Sequence, residues 1–395
     1  MDGQRRSWTG LLHALSVLLG VLWLAAAPAA AQTLIIGIDE KVTWDAKGKQ
    51  LFTAPGKDAV SVVDISNPEA PKITTSLPLM NSIFGPPVNL AVSPDGKLAV
   101  VANSMDWQKD GDAWKPVPDN KLYVIDLTVT PAVQVGTVEV GKQPSGLSFN
   151  RAGTLLLVAN RADNSISVLT VSGKDVKLVD TVPMGESVAH VVFTPDGKRA
   201  LAAKFPGHKI ALLDVDGQKV TYSKFDLPVG LWPYNVDVTP QGTIALTADN
   251  GNAGGSDGHV DTVSVIDLES TPPRVIDRVV VGDAPEGLAI SPRGDLAVAI
   301  LLRGSNVPPQ SYFYNRNGSV VILKIDYKTV TRVGEVEVRG LPEGVVWSPD
   351  GQYIYVGNYM DRDISILKVE KNGQVVNTGK SLKLPGQPAS MRGAK

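Results

Sequence analysis

Residues 341–358 read "LPEGVVWSPDGQYIYVGN". Two short apolar runs flank the four-residue turn "SPDG" at 348–351. Pro suits the second turn position because its ring holds φ near −65°, Asp accepts backbone N–H groups, and Gly takes positive φ. Alternating apolar residues on both sides are the period-2 mark of a hairpin. The same turn chemistry recurs as "WDAKG" (44–48), "SPDG" (93–96), "NRAG" (150–153), "TPDG" (194–197), "TPQG" (239–242) and "SPRG" (291–294). The turn glycines lie 44 to 57 residues apart.

A second apolar run follows each turn, from "AVSVVDI" at 59–65 to "DISILKV" at 363–369, and a third strand-like run such as "GEVEV" at 334–338 comes after it. Each unit therefore reads as strands A, B, C and D, with helical periodicity absent after the first thirty-odd residues. A four-stranded sheet cannot bury both faces alone. Seven of them stacked about an axis can, so the pattern predicts an all-β, seven-bladed β-propeller of antiparallel blades over residues 32–395. Residues 33–38 ("TLIIGI") and 386–391 ("GQPASM") are each able to close the ring, and the sequence leaves the choice open.

"LAVVAN" (98–103), "LLLVAN" (155–160) and "YIYVGN" (353–358), each between a Gly turn and an "SVID"-like strand, resemble the YVTN-repeat β-propeller family. The resemblance covers residues 35–390. It implies the seven-bladed fold and a relation to lactonase-type and surface-layer propellers. It does not imply one activity, since such folds host many. Two copies, "LAAKFP" (200–205) and "AILLR" (299–303), lack the closing Asn.

The chain has 395 residues, a net charge of −2 and no cysteine. That balance argues against nucleic acid as a partner. The absence of Cys removes disulfides, thiol chemistry, iron–sulfur clusters and covalent haem attachment. Arg5 and Arg6, an apolar stretch and Ala29-Ala30-Ala31 make residues 1–31 read as a cleavable secretory signal, with a periplasmic or secreted mature protein and no membrane span after cleavage. The letters around Arg5-Arg6 fit a twin-arginine signal poorly.

Antiparallel pairing puts the D→A and B→C loops on one rim and the Gly turns on the other. Three B→C loops are long: 103–120, 249–261 and 303–318. Long insertions confined to one rim of a rigid scaffold point to binding there. The D→A loops "PPVNL", "QPSGL", "SVAHV", "WPYNV", "APEGL", "LPEGV" and "QPASM" bring Asn89, Ser145, His190, Tyr234, Asn235, Glu286, Glu343 and Ser390 to the channel mouth. Strand-B ends add Asn103, Asn160, Lys204, Asp249, Arg303 and Asn358, and the third long loop adds Arg316.

The catalytic candidates are Glu286, Glu343 and His190, as bases; the ligand-binding candidates are Asn89, Lys204, Tyr234, Asn235, Asp249, Arg303 and Arg316. Each has a plainer reading. The strand-end Asn residues tie loops, the two acids accept backbone N–H bonds, and a lone His is more often structural. The oxygen-rich loop with Asp249, Asn252, Asp257 and Asp261 offers calcium ligands without EF-hand spacing, and a solvated loop is the plainer reading. Trp107, Trp114, Trp232, Tyr234, Tyr312 and Tyr314 either stack on a ligand or cover the loops. The expectation is a monomeric envelope protein that binds a small molecule or a protein partner. A lactonase-like hydrolase using an acid or His190 as base, with Arg303 or Lys204 holding an anion, is the alternative.

Overall fold

The computed structural model describes residues 1–3, 32–45 and 47–394. The expected secretory signal falls outside the described residues for nearly all its length. Among the described residues no helix is long and apolar enough to cross a membrane.

The turn chemistry of the sequence is visible atom by atom. At 348–351 the Ser348 hydroxyl donates to Asp350 Oδ1 (2.5 Å), the Gln352 N–H donates to the same oxygen (3.0 Å) and Gly351 adopts φ 66°. Ser93–Asp95 and Thr194–Asp196 repeat the device, each at 2.6 Å. Each such turn joins an A to a B strand, as in Pro342–Trp347 and Tyr353–Asn358, with Val345 opposite Val356.

Seven four-stranded antiparallel sheets form the propeller. Blade 2 runs from Leu90–Val92 to Val133–Glu139, and blade 3 from Pro144–Phe149 to Asp175–Pro183. Blade 4 runs from Val191–Phe193 to Lys219–Pro228, and blade 5 from Pro233–Val238 to Arg274–Gly282. Blade 6 runs from Pro285–Ile290 to Thr329–Glu337, and blade 7 from Pro342–Trp347 to Val375–Lys383.

Blade 1 is composite. Its A strand is the C-terminal Pro388–Gly393, paired to Thr33–Ile38 with Met391 opposite Ile36, followed by Ala59–Asp64 and Lys72–Leu77. Both ring-closing candidates are therefore used, against each other. The "WDAKG" turn is not a blade turn. It caps a separate two-stranded hairpin, Val42–Trp44 with Gln50–Phe52, inserted between strands B and C of blade 1. The period misled there because the first blade has no A–B turn of its own. A second correction concerns residues 103–120: they extend strands Leu98–Asp110 and Ala113–Asp126 into one long hairpin instead of a loop.

Burial follows radius. Strands A and B are almost wholly buried, while D strands such as Lys72–Leu77 alternate exposed and half-buried. Seven apolar layers fill the seven gaps between neighbouring blades. Between blades 5 and 6, for example, Leu246, Ala248 and Val263 meet Leu288, Ala299 and Val321. Cutting one such buried Leu to Ala costs about 2–5 kcal/mol. The result is a stiff cylinder from which the loops and the channel-lining strands project.

Candidate functional site

Four of the seven A strands begin with a deliberate distortion. Gln143, Trp232, Ala284 and Leu341 take φ between 51° and 56°, each just before a proline. The ladder then slips at Pro144/Leu147, Pro233/Asn235, Pro285/Leu288 and Pro342/Val345. Such bulges re-aim side chains and cluster near functional sites. Here they carry Ser145, Tyr234, Glu286 and Glu343. Gly344, at φ 87°, completes the last one, and a Cβ on it would lie 2.8 Å from the Met391 amide nitrogen.

Six polar atoms at this level are buried and find no hydrogen-bond partner among the described residues: Asn89 Oδ1, Ser145 Oγ, Asn235 Oδ1, Glu286 Oε2, Glu343 Oε2 and Ser390 Oγ. They come from two adjacent positions at the entry to six different A strands. A buried polar atom without a partner costs about 1–3 kcal/mol, so a ring of them marks a site rather than a core.

Burial pushes the Glu286 carboxyl up to about 8, with Arg161 pulling the other way. Burial, reinforced by the charge of Glu286, pushes Glu343 well above the usual carboxylate range. Burial likewise raises Tyr234 to about 12, against the opposing pull of Arg161. At neutral pH the two acids are therefore largely protonated, and both then have an O–H to donate. The Arg161 guanidinium stands 4.9 Å from the Phe205 ring and 5.5 Å from the Tyr234 ring. The position a Gly254 Cβ would take is 3.7 Å from the Tyr234 hydroxyl and 3.8 Å from Glu286 Oε1, so the loop after Asp249 covers this corner.

The mouth above this ring is roofed. Residues 79–88, the D→A connection from blade 1, cross it. The Pro87 carbonyl accepts from Met391 N–H of blade 1 and the Val88 carbonyl from Leu147 N–H of blade 3, both at 3.4 Å. Pro87 also lies over Gly287 of blade 6, where a Cβ would meet it at 3.2 Å. Ile83 packs with Tyr359, Leu302 and Trp44. The inserted hairpin of blade 1 pins this crossing. Fully buried Lys41 pairs with Asp39 (3.0 Å) and Asp58 and donates to the Asn81 carbonyl (2.6 Å). Trp107, Phe52 and Phe84 seal the rest, with ring centroids 5.9–6.1 Å apart. Trp107 is thus a cover residue, as is Trp232 against Phe205 (5.6 Å).

The predicted residues divide sharply. Glu286, Glu343, Tyr234, Asn89 and Asn235 share the ring. His190 lies in a separate cavity of about 80 Å³ lined also by Ala91, Ser148, Val192, Asp237 and Arg392. Its Nδ1 accepts from Val236 N–H at 3.3 Å.

The strand-B ends point away from the channel. Asn160 Nδ2 donates to Ser165 and Ser167, and Asn358 Nδ2 to Asp363 and Ser365, at 2.9–3.0 Å. They clamp strand C, and Asn358 also ties the loop backbone as expected, its Oδ1 accepting from the Arg339 N–H at 3.1 Å. Asp249 fills the same niche and accepts from Thr247, Thr262 and Ser264. Burial pushes it up to about 6 despite those bonds.

Lys204 pairs with Asp226 (3.0 Å) and Tyr222 (2.8 Å), and Arg303 faces Glu335 (3.7 Å) and Glu337 (4.0 Å) on the outer strands. Neither reaches the acids, so neither can hold an anion beside them. Arg316 forks onto Asp361 at 2.6 and 3.1 Å. Nor do the calcium candidates converge. Asp257 accepts from His259 N–H, Asp261 from Ala284 N–H, and the Asn252 carbonyl from Gly255 N–H. Among the described residues no three acids or histidines are arranged to hold a metal ion.

Sequence reasoning missed Arg161, Asp237 and Arg392. The signal for the last two was present. Asp237 and Arg392 stand two residues after Asn235 and Ser390, and period 2 returns them to the channel face. Arg161 had only its place next to Asn160.

A family model, the Choice-of-anchor I domain, matches residues 40–165. No curated protein matches the chain. Among solved structures it is similar to a putative 6-phosphogluconolactonase from Bacteroides fragilis, at 17% identity and TM-score 0.67, covering 91% of this chain and 97% of that one. It is similar to the periplasmic gluconolactonase of Pseudomonas aeruginosa, at 18% identity and TM-score 0.63, covering 91% and 98%. It is also similar to the hydrazine synthase of Kuenenia stuttgartiensis, at 19% identity and TM-score 0.56, covering 74% and 79%. At these identities the likeness concerns architecture, and in architecture this chain is a seven-bladed β-propeller.

Proposed function

We propose that this protein is an exported, non-enzymatic binding or scaffolding module of the cell envelope, one whose long-loop rim meets a protein partner. The secretory pattern of residues 1–31, the YVTN-like repeats and the Choice-of-anchor I match support the envelope setting. The observation that carries the binding role is the rim itself. Its four insertions are packed into a roof over the channel, yet the sector over blades 5 and 6 exposes Leu231 (57%), Val260 (70%) and Tyr312 (88%). The Gly251 N–H donates to the Leu231 carbonyl, and the ring of Phe313 packs on Gly258, so these loops form one surface. Large apolar side chains exposed together on a rigid rim are the mark of an interaction surface. Affinity capture from a periplasmic extract with the wild type and with Leu231→Ser/Val260→Ser/Tyr312→Ser tests this. A partner retained by the wild type and lost by the triple variant is the expected result; equal capture by both removes the surface.

One observation favours a second reading, a lactonase-like hydrolase. Glu286, raised to about 8 by burial with Arg161 beside it, becomes a general base as it loses its proton when the pH rises through 8. It would take a proton from water attacking a lactone carbonyl and return it to the ring oxygen as the acyl C–O bond breaks, once residues 79–88 lift. Lactone hydrolysis by the wild type, Glu286→Gln and Glu343→Gln decides it: equal rates in all three exclude the base.

A further inference from the structure

The channel's other end holds a site unconnected with the roofed ring. The cavity containing His190 is lined by the next channel-facing layer of A strands and reaches Pro94, in the A–B turn of blade 2, on the rim away from the insertions. Arg392 enters it from blade 1, the closing strand, and Asp237 from blade 5.

The guanidinium of Arg392 forms no hydrogen bond and no ion pair within 4 Å among the described residues, although its place deep in the channel pushes its pKa below the ordinary arginine value. The charge of Asp237 opposes that lowering. The carboxylate oxygens of Asp237 already accept from Val238 N–H (2.9 Å) and Ile290 N–H (3.0 Å). The Ser148 hydroxyl donates to the Phe149 carbonyl (3.2 Å). An arginine carries five N–H donors in a planar fork. Arg392 is half-buried, and its fork faces an open volume with none of these donors used by the protein, so an acceptor of matching shape in that volume would meet a ready set of N–H groups.

We infer that this cavity binds a small oxyanion, a carboxylate or phosphate group, held by the bidentate fork of Arg392 with His190 and Ser148 at its wall. The volume of about 80 Å³ admits such a group and little beyond it. A larger ligand would therefore insert only its anionic end, entering from the A–B turn rim. Carboxylate and phosphate share the required pair of coplanar oxygens, and Arg is the residue whose geometry fits both.

The experiment is thermal-shift and calorimetric titration of the whole protein with sodium phosphate and with sodium acetate, against chloride at equal ionic strength. The wild type should show a saturable rise in Tm with at least one of them. Saturation with phosphate alone identifies a phosphoryl ligand, and with acetate alone a carboxylate. Arg392→Gln should abolish the shift, and Arg274→Gln, a surface arginine variant outside both sites, should keep it. Arg392→Lys keeps the charge but loses the fork and should bind about tenfold more weakly. It serves as the readout if Arg392→Gln fails to fold. No saturable shift with either anion overturns the site, as does undiminished binding by Arg392→Gln or Arg392→Lys.

Discussion

The two ends of the channel carry opposite chemistry under opposite access. The roofed end gathers two carboxyls, a phenol and amide oxygens beneath residues 79–88 and the aromatic cover. The turn-side end gathers an arginine, a histidine and an aspartate beside an open cavity. Both are lined by A strands, the roofed end by those of six blades and the turn-side cavity by those of blades 1 to 5, with Asn235 and Asp237 on one strand and Ser390 and Arg392 on another two residues apart. The difference teaches that the blade repeat supplies only the lining positions. Which residues stand there, and whether loops close over them, is decided blade by blade.

Lys41→Met is the harshest way to break the roofed end. It leaves Asp39 and Asp58 buried without their cation, and removing one partner of such a network costs about 3–5 kcal/mol. Urea unfolding should show that loss, and limited proteolysis should find residues 79–88 cleaved first. An unchanged midpoint would mean the network does not pin the crossing.

Titration sharpens the contrast next. Glu286 moves from 4.5 to about 8 on folding, so the native state holds a proton the unfolded state releases. Below pH 4.5 both states are protonated and nothing is lost. As pH rises from 4.5 to 8 stability falls, by on the order of 5 kcal/mol for such a shift, and then levels. Glu286→Gln should match the wild type near pH 4.5 and exceed it at pH 8.5 in chemical denaturation. Parallel curves across that window would show that the carboxyl is not protonated in the fold.

Gly344→Ala tests the bulge that aims Glu343. The added Cβ, at φ 87° and 2.8 Å from a backbone nitrogen, should cost about 1–3 kcal/mol, read from the denaturation midpoint. The smallest effect belongs to Arg303→Gln. Its ion pairs at 3.7 and 4.0 Å are partly exposed and outside the channel, so stability should change by less than about 1 kcal/mol. A larger loss, or altered lactone hydrolysis, would return Arg303 to the site.

The sequence by itself determined the blade. Its turns, its alternation and its seven-fold recurrence are local, within reach of a few residues, and period 2 also places Asn235, Asp237, Ser390 and Arg392 on one face. It further placed Glu286 and Glu343 at one level of neighbouring blades. Only the tertiary structure decided the rest. Residues 79–88 crossing to Gly287 and Met391, Arg161 reaching Glu286, the N- and C-terminal strands sharing blade 1, and Lys41 meeting Asp58 and Asn81 all join segments that no period relates. Loops have no repeat to read, and a contact between distant loops exists only once the ring has closed and set their separation.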